Sequence, residues 1–181
     1  MTQVRTEDLL WWVIPGVLAG MPMPLIHPGR RSDHGGDLMC RHDDLPALHA
    51  AGVRAFISLV DDPMDAPIYL SAGFDFLHLP VAVGGAPTVE QAEAAAAFIT
   101  RQRAQGRAVA VYCDAGLGRT GTLLASYLIS EGDSAEAALD RVRNAQKTAL
   151  ETERQIEFLH EFAAMRALQP GQATVRITRW G

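Results

Sequence analysis

The chain has 181 residues, of which 48% are apolar and 20% charged, and its formal net charge is −5 at pH 7. This length allows one domain with a core of its own, and the mild negative charge argues against nucleic acid or an anionic membrane as a partner. No run of about 18 apolar residues is present that would span a bilayer. Two cysteines, Cys40 and Cys113, cannot form a disulfide framework, which favours a reducing, cytoplasmic setting.

The first half of the chain predicts short strands joined by loops. Strands are predicted at 11–14, 17–19, 53–60 and 74–80. Between the second and third of these, residues 21–44 have no hydrophobic period and predict a long surface loop. Asp44 then caps a short helix, which Gly52 ends.

The second half predicts helices around one central strand. Thr88 and Gln91 have the spacing of a capping box, and the helix they begin ends at Gly106. The apolar run at 107–112 is typical of a buried parallel strand. Further helices are predicted at 120–130, from a cap at Asp133, and from a capping box formed by Thr152 and Gln155.

Together these elements predict an α/β fold with a mostly parallel central sheet of about four to five strands, flanked by helices. No repeat or linker divides the chain, so residues 1–181 are interpreted as a single domain. Its C-terminal tail, at about 170–181, includes an alternating, strand-like segment without an obvious partner. No feature of the sequence indicates an oligomeric state.

The loop that follows the central strand has the composition of an anion-binding site. It consists of Cys113, Asp114, Ala115, Gly116, Leu117, Gly118 and Arg119. The backbone N–H groups of such a loop and the positive end of the next helix bind phosphate and stabilise a thiolate. Cys113 is therefore the candidate nucleophile, and Arg119 offers a fork that grips two phosphate oxygens. The Thr120 hydroxyl can hydrogen-bond the sulfur and ease its departure.

The Cys-x5-Arg-Thr-Gly pattern that begins at Cys113 resembles the signature loop of the protein tyrosine phosphatase superfamily. Shorter matches at 12–20, at 58–61 and at Glu151-Thr152 with Gln155 resemble the small atypical dual-specificity phosphatases. The resemblance implies hydrolysis of phosphate monoesters through a phosphocysteine, without metal or cofactor. It also implies that Glu151 and Gln155 orient water for the second step, although Gln155 fits a purely structural capping role equally well.

Two positions depart from the family pattern. Tyr112 stands where the family usually has a histidine that helps order the loop, and Val81 stands where it has an aspartate as general acid. General acid catalysis is typically worth about 10²–10⁴-fold in rate. Asp61 is the candidate substitute, because it follows a strand predicted beside that of Cys113, at the edge where α/β sheets bind ligands. The alternative is a structural role, capping its loop or holding Arg119. Further candidates are Asp62, Asp75 and His78.

Asp114 is a third departure, because an acidic residue directly after the nucleophile repels polyanions and argues against a phosphoinositide substrate. A solvated carboxylate on the rim of the loop is the alternative. In the 21–44 loop, Cys40 is either a partner for a reversible disulfide with Cys113 or an unpaired thiol. The irregular spacing of His27, His34, Cys40 and His42 does not favour a metal site.

Three functions are compatible with these residues. The first is a phosphocysteine-dependent phosphatase acting on phosphotyrosine, another aryl phosphate, or phosphoserine and phosphothreonine in proteins. Val81 and Tyr112 suggest the second, a phosphate-binding module or near-inactive pseudophosphatase. The third is a phosphatase for a small molecule such as an inositol phosphate or a nucleotide. Cys113 and Arg119 favour the first function over the second, because a pure binder has no need of the thiol.

Overall fold

The computed structural model describes residues 10–24 and 44–168. In these residues the strands are β1 (Trp11–Ile14), β2 (Leu18–Pro22), β3 (Val53–Ser58), β4 (Asp75–His78) and β5 (Ala108–Cys113). The helices are α1 (Asp44–Ala50), α2 (Ala66–Ser71), α3 (Val89–Ala104), α4 (Gly118–Ser130), α5 (Ala135–Ala145) and α6 (Glu153–Ala167). The predicted α/β class is confirmed.

The five strands that the structure describes form one sheet in the order β1-β2-β5-β3-β4. β1 is antiparallel to β2, and all other neighbours are parallel. β5 lies at the centre with every residue buried, as its continuous apolar run predicts. The four parallel strands end at the same edge, where open α/β sheets bind ligands.

Side chains on the two faces of the sheet belong to two separate cores. Along β5, Val109, Val111 and Cys113 point to the core that α3, α4, α5 and α6 cover. Ala110 and Tyr112 point to the other core, together with side chains of α1 and α2. The described residues therefore form three layers, with the sheet between two sets of helices. That the whole chain, 1–181, is one domain stays a prediction.

The helix starts follow the predicted capping pattern with one exception. Both capping boxes, Thr88 with Gln91 and Thr152 with Gln155, are present, and each such cap is typically worth about 1 kcal/mol. The predicted cap at Asp133 is wrong by one residue, because the side chain of Ser134 accepts the hydrogen bond from the helix N–H. The Asp133 carboxylate instead pairs with an arginine on the same helix.

Two boundaries in the loops differ from the prediction. Met21 and Pro22, assigned to the 21–44 loop, continue β2, because they pair with the last two residues of β5. α2 was not predicted, since its six residues are too few to show a helical period. Residues 25–43 and the C-terminal tail lie outside the described residues. Among the helices of the described part, none has the length and hydrophobicity needed to cross a bilayer.

Candidate active site

The 113–119 loop is held between the carboxyl ends of β2 and β5. Cys113 is the last residue of β5 and is buried, and α4 begins at Gly118, so the loop joins strand to helix as predicted. The Met23 N–H donates to the Asp114 carbonyl at 3.0 Å. This bond fixes the loop to the segment that follows β2, so two strands together determine where the Cys113 sulfur lies.

Gly116 packs directly against the backbone of β2. Its φ is +71°, in the left-handed region that favours glycine. A Cβ at this position would overlap the backbone of Met21 and Pro22. Both the backbone angle and the close contact therefore require glycine here.

Replacing Gly116 with alanine is expected to lower the free energy of unfolding by about 2 kcal/mol or more and to abolish most of the phosphate-ester hydrolysis that the resemblance implies. The left-handed angle costs about 1–2 kcal/mol for a non-glycine residue, and the overlap displaces the loop from β2. Gly106→Ala is the matched control, because Gly106 has a similar φ of +68° with open space around it. Urea unfolding and turnover of p-nitrophenyl phosphate measure both effects. Equal losses in the two variants would contradict a role for the contact with β2.

The Arg119 guanidinium is buried and held by three neighbours. Its Nη1 donates to the carbonyl of Val81 at 2.9 Å and to the carbonyl of Leu59 at 3.3 Å. Its Nη2 donates to the Asp114 carboxylate. The carbonyls come from the segments after β4 and β3, so the neighbouring strands orient the arginine toward the 113–119 loop. Residue types alone could not indicate these carbonyls, since every residue carries one.

Val81 contributes to the site through its backbone. The residue is 4% exposed and its side chain lies in the core that α4 covers, while its N–H donates to the carbonyl of Leu59 at 3.1 Å. Three side chains hold the 80–87 segment. Gln91 Nε2 donates to the carbonyl of Pro80 (2.8 Å), Thr152 Oγ1 to that of Gly84 (3.0 Å) and Gln155 Nε2 to that of Gly85 (3.1 Å). The segment where the family has its acid is therefore tied to α3 and α6.

Gln155 lies against the 113–119 loop and also caps α6. A Cβ on Gly118 would collide with the Glu151 carboxylate and would come within 2.9 Å of Gln155 Nε2. Gln155 Oε1 accepts from the N–H groups of Glu151 (2.8 Å) and Thr152 (3.2 Å), while Nε2 donates to Gly85. These contacts account for the structural role. Gln155 Nε2 has a second hydrogen that could bond a water molecule, so the predicted role of Gln155 in orienting water stays a prediction.

Among the candidate acids, Asp61 lies at the expected edge of the sheet. It is exposed, and it follows Leu59 by two residues, which is at most about 7 Å of chain. No hydrogen bond or ion pair joins Asp61 to the described residues, so it does not hold Arg119. His78 Nε2 is 2.8 Å from the carbonyl of Val60. Asp75 begins β4 at the opposite edge and pairs with Arg107, which removes it as a candidate.

Two further residues of this region have surroundings that the sequence did not indicate. The Thr120 hydroxyl is buried and has no partner among the described residues, and its predicted hydrogen bond to the departing Cys113 sulfur stays a prediction. The ring of Tyr112 packs on the face opposite to Cys113, with centroids 6.4 Å from Phe56 and 6.2 Å from Tyr69. Tyr112 is therefore part of a core on the far side of the sheet.

Within residues 10–24 and 44–168, no group of three or more His, Cys, Asp or Glu side chains could hold a metal ion. The histidines of the 21–44 loop and Cys40 lie outside the described residues, as does the possible disulfide with Cys113. Those interpretations stay untested.

Comparison with known families identifies the chain. Residues 34–133, more than half of its length, match the family described as Tc-R-P, a polymorphic toxin system DSP-PTPase phosphatase. The chain belongs to this DSP-PTPase phosphatase family. The predicted likeness to the small atypical dual-specificity phosphatases is confirmed, and with it a phosphatase fold.

Two other proteins are similar to this chain in sequence. An uncharacterized protein of Methanocaldococcus jannaschii is 33% identical over 131 residues, which are 72% of this chain and 82% of that protein. The dual specificity protein phosphatase CDC14AB of Danio rerio is 33% identical over 132 residues, which are 70% of this chain and 20% of that protein. The chain thus spans about a fifth of the length of this larger relative.

Solved structures of phosphatases share the fold. Tk-PTP in the active form is 28% identical, with a TM-score of 0.71 over 86% of this chain and 96% of that chain. The kinase associated phosphatase is 20% identical, with a TM-score of 0.71 over 88% of this chain and 94% of that chain. The second likeness concerns the fold alone.

Proposed function

We propose that this DSP-PTPase family member hydrolyses phosphate monoesters through a covalent phosphocysteine on Cys113. The observation that carries the proposal is the buried Arg119 guanidinium, held at the start of α4 by the carbonyls of Leu59 and Val81. The preferred substrates are phosphotyrosine and other aryl phosphates, with phosphoserine and phosphothreonine as further possibilities. The mechanism uses a free thiol, which fits the proposed cytoplasmic, reducing setting.

In the first step the Cys113 thiolate attacks phosphorus. An S–P bond forms, the P–O ester bond breaks, and the leaving oxygen takes a proton. The N–H groups of the 113–119 loop and the Arg119 guanidinium stabilise the charge on the transferring phosphoryl group. No metal ion or cofactor takes part in this proposal.

In the second step water attacks the phosphorus of the phosphocysteine. The P–S bond breaks, the thiolate is restored, and inorganic phosphate leaves. Glu151 and Gln155 are proposed to orient this water, because both lie against Gly118. The Thr120 hydroxyl, buried and without a partner among the described residues, is proposed to donate to the departing sulfur.

Asp61 is the proposed donor of the proton in the first step. Asp61→Asn is expected to slow hydrolysis of phenyl phosphate by about 10²-fold or more, because its leaving group is poor. Hydrolysis of p-nitrophenyl phosphate should change far less, because nitrophenolate departs as a stable anion. Values of kcat/KM for the two esters measure the difference.

The control for this prediction is Asp62→Asn, which neutralises the neighbouring exposed carboxylate. If Asp61→Asn lowers both rates together and also lowers the melting temperature, Asp61 is structural. If Asp62→Asn alone separates the two esters, the proton comes from Asp62.

The burial of Val81 favours a second candidate function. Since no carboxylate stands at that position, the second candidate binds phosphate esters but hydrolyses them slowly or not at all, as a phosphate-binding module or pseudophosphatase. A wild-type protein that binds inorganic phosphate but hydrolyses neither ester would support this candidate. Activity confined to inositol phosphates or nucleotides would instead favour the small-molecule phosphatase.

A further inference from the structure

The hydrogen bonds of Arg119 leave few of its N–H groups for a phosphate. A guanidinium has five N–H donors. The carbonyls of Leu59 and Val81 accept the N–H groups of Nη1, and the Asp114 carboxylate accepts one N–H of Nη2. A bidentate grip on phosphate must then use Nε and the second hydrogen of Nη2. It would place two phosphate oxygens beside the Asp114 carboxylate.

Two anions that share one nitrogen of a guanidinium repel each other at short range. The Arg119 side chain is 6% exposed and fixed by two carbonyls, so it cannot move away from this conflict. The Asp114 side chain is 49% exposed and can turn into water. Phosphate binding is therefore expected to displace the exposed Asp114 carboxylate, because the two anions compete for Arg119.

We propose that Asp114 determines which substrates this site accepts, a proposal that rests on the phosphatase function proposed above. After displacement, its carboxylate stays on the rim of the loop, one residue from Cys113. A second phosphate or an acidic group beside the reacting phosphate meets this negative charge. The site therefore selects singly phosphorylated esters in neutral or basic surroundings and disfavours substrates that carry several phosphates.

A positioning role for the same ion pair makes the opposite prediction. If Asp114 only orients the guanidinium, its removal would weaken phosphate binding and lower kcat. If Asp114 competes with phosphate, its removal strengthens binding. The sign of the change therefore separates the two roles.

The first test measures inorganic phosphate binding by calorimetry in the Cys113→Ser background, where no covalent step occurs. Adding Asp114→Asn is expected to tighten the phosphate Kd by about two- to fivefold, the effect of losing one partly exposed ion pair. Adding Glu131→Gln is the matched control and should leave the Kd unchanged. Glu131 pairs with Arg103 at 2.9 Å at the other end of α4, so this change removes the same charge and also an arginine partner.

The second test compares kcat/KM for a phosphotyrosine peptide with neutral neighbours and for the same peptide carrying a second phosphate next to the first. The wild-type protein is expected to prefer the singly phosphorylated peptide, and Asp114→Asn should reduce that preference by about tenfold, mainly through KM. The inference is wrong if Asp114→Asn leaves the peptide preference unchanged, or if it leaves the phosphate Kd the same or raises it. Either result leaves the proposed function intact. Failure of every variant to bind phosphate overturns the proposed function together with the inference.

Discussion

Cys113→Ser is expected to lower turnover of p-nitrophenyl phosphate by about 10⁴-fold or more, the size of effect seen when an enzyme loses its nucleophile. A serine hydroxyl is not ionised at neutral pH and cannot form the phosphocysteine. The N–H groups of the 113–119 loop and Arg119 are unchanged, so inorganic phosphate should still bind. Steady-state kinetics and calorimetry measure the two properties on the same preparation.

The matched control exchanges the other cysteine. Cys40→Ser, measured with reductant present, removes the same thiol from outside the 113–119 loop and should retain wild-type turnover. If Cys113→Ser kept turnover within about tenfold of wild type, a covalent mechanism on Cys113 would be wrong. Loss of phosphate binding together with turnover would instead indicate that the sulfur helps to shape the loop.

Arg119→Lys is expected to lower kcat by about 10²–10³-fold, because a lysine ammonium cannot replace a planar fork. The guanidinium donates to two carbonyls through Nη1 and still has Nε and one hydrogen of Nη2 for phosphate. A single ammonium nitrogen cannot bond the carbonyls of Leu59 and Val81 and also grip two phosphate oxygens. Separate values of kcat and KM show whether the loss lies in the transition state.

The control for Arg119→Lys is Arg103→Lys, which makes the same exchange in a partly exposed pair with Glu131 on the outer surface. It should leave kcat and KM unchanged. Full activity in Arg119→Lys would show that positive charge alone is sufficient at this position, and the bidentate grip would be wrong.

The sequence predicted the elements whose geometry depends on local residue types. Thr88 and Thr152 cap helices through their own hydroxyls, and β5 is recognisable because a central parallel strand is apolar throughout. α2 was missed because six residues with a proline in the first turn show no period. The cap of α5 was misplaced because Asp133 and Ser134 are both good caps, and only the folded backbone chooses between them.

In the candidate site, the residue types were predictable and their contacts were not. The Cys113-to-Arg119 spacing indicates a phosphate-binding loop, and the family comparison agrees. The contacts of Arg119 with the carbonyls of Leu59 and Val81 depend on how β3, β4 and β5 align. The residue types in the sequence do not indicate this alignment. Likewise the sequence left Asp114 either as a residue that repels polyanions or as a solvated carboxylate on the rim, and its ion pair with Arg119 depends on side-chain rotamers.

The partners of Arg119 also connect the site to the time course of folding. Leu59 and Val81 lie 60 and 38 residues away from Arg119 along the chain. Contacts between residues so far apart in sequence form slowly, because the chain loses conformational entropy in closing the loop before the contacts stabilise it. A chain with formed helices and an open sheet would expose the Cys113 thiol, which is only 3% exposed once the sheet has closed. Protection of Cys113 from an added electrophile during refolding would therefore time the closure of the sheet.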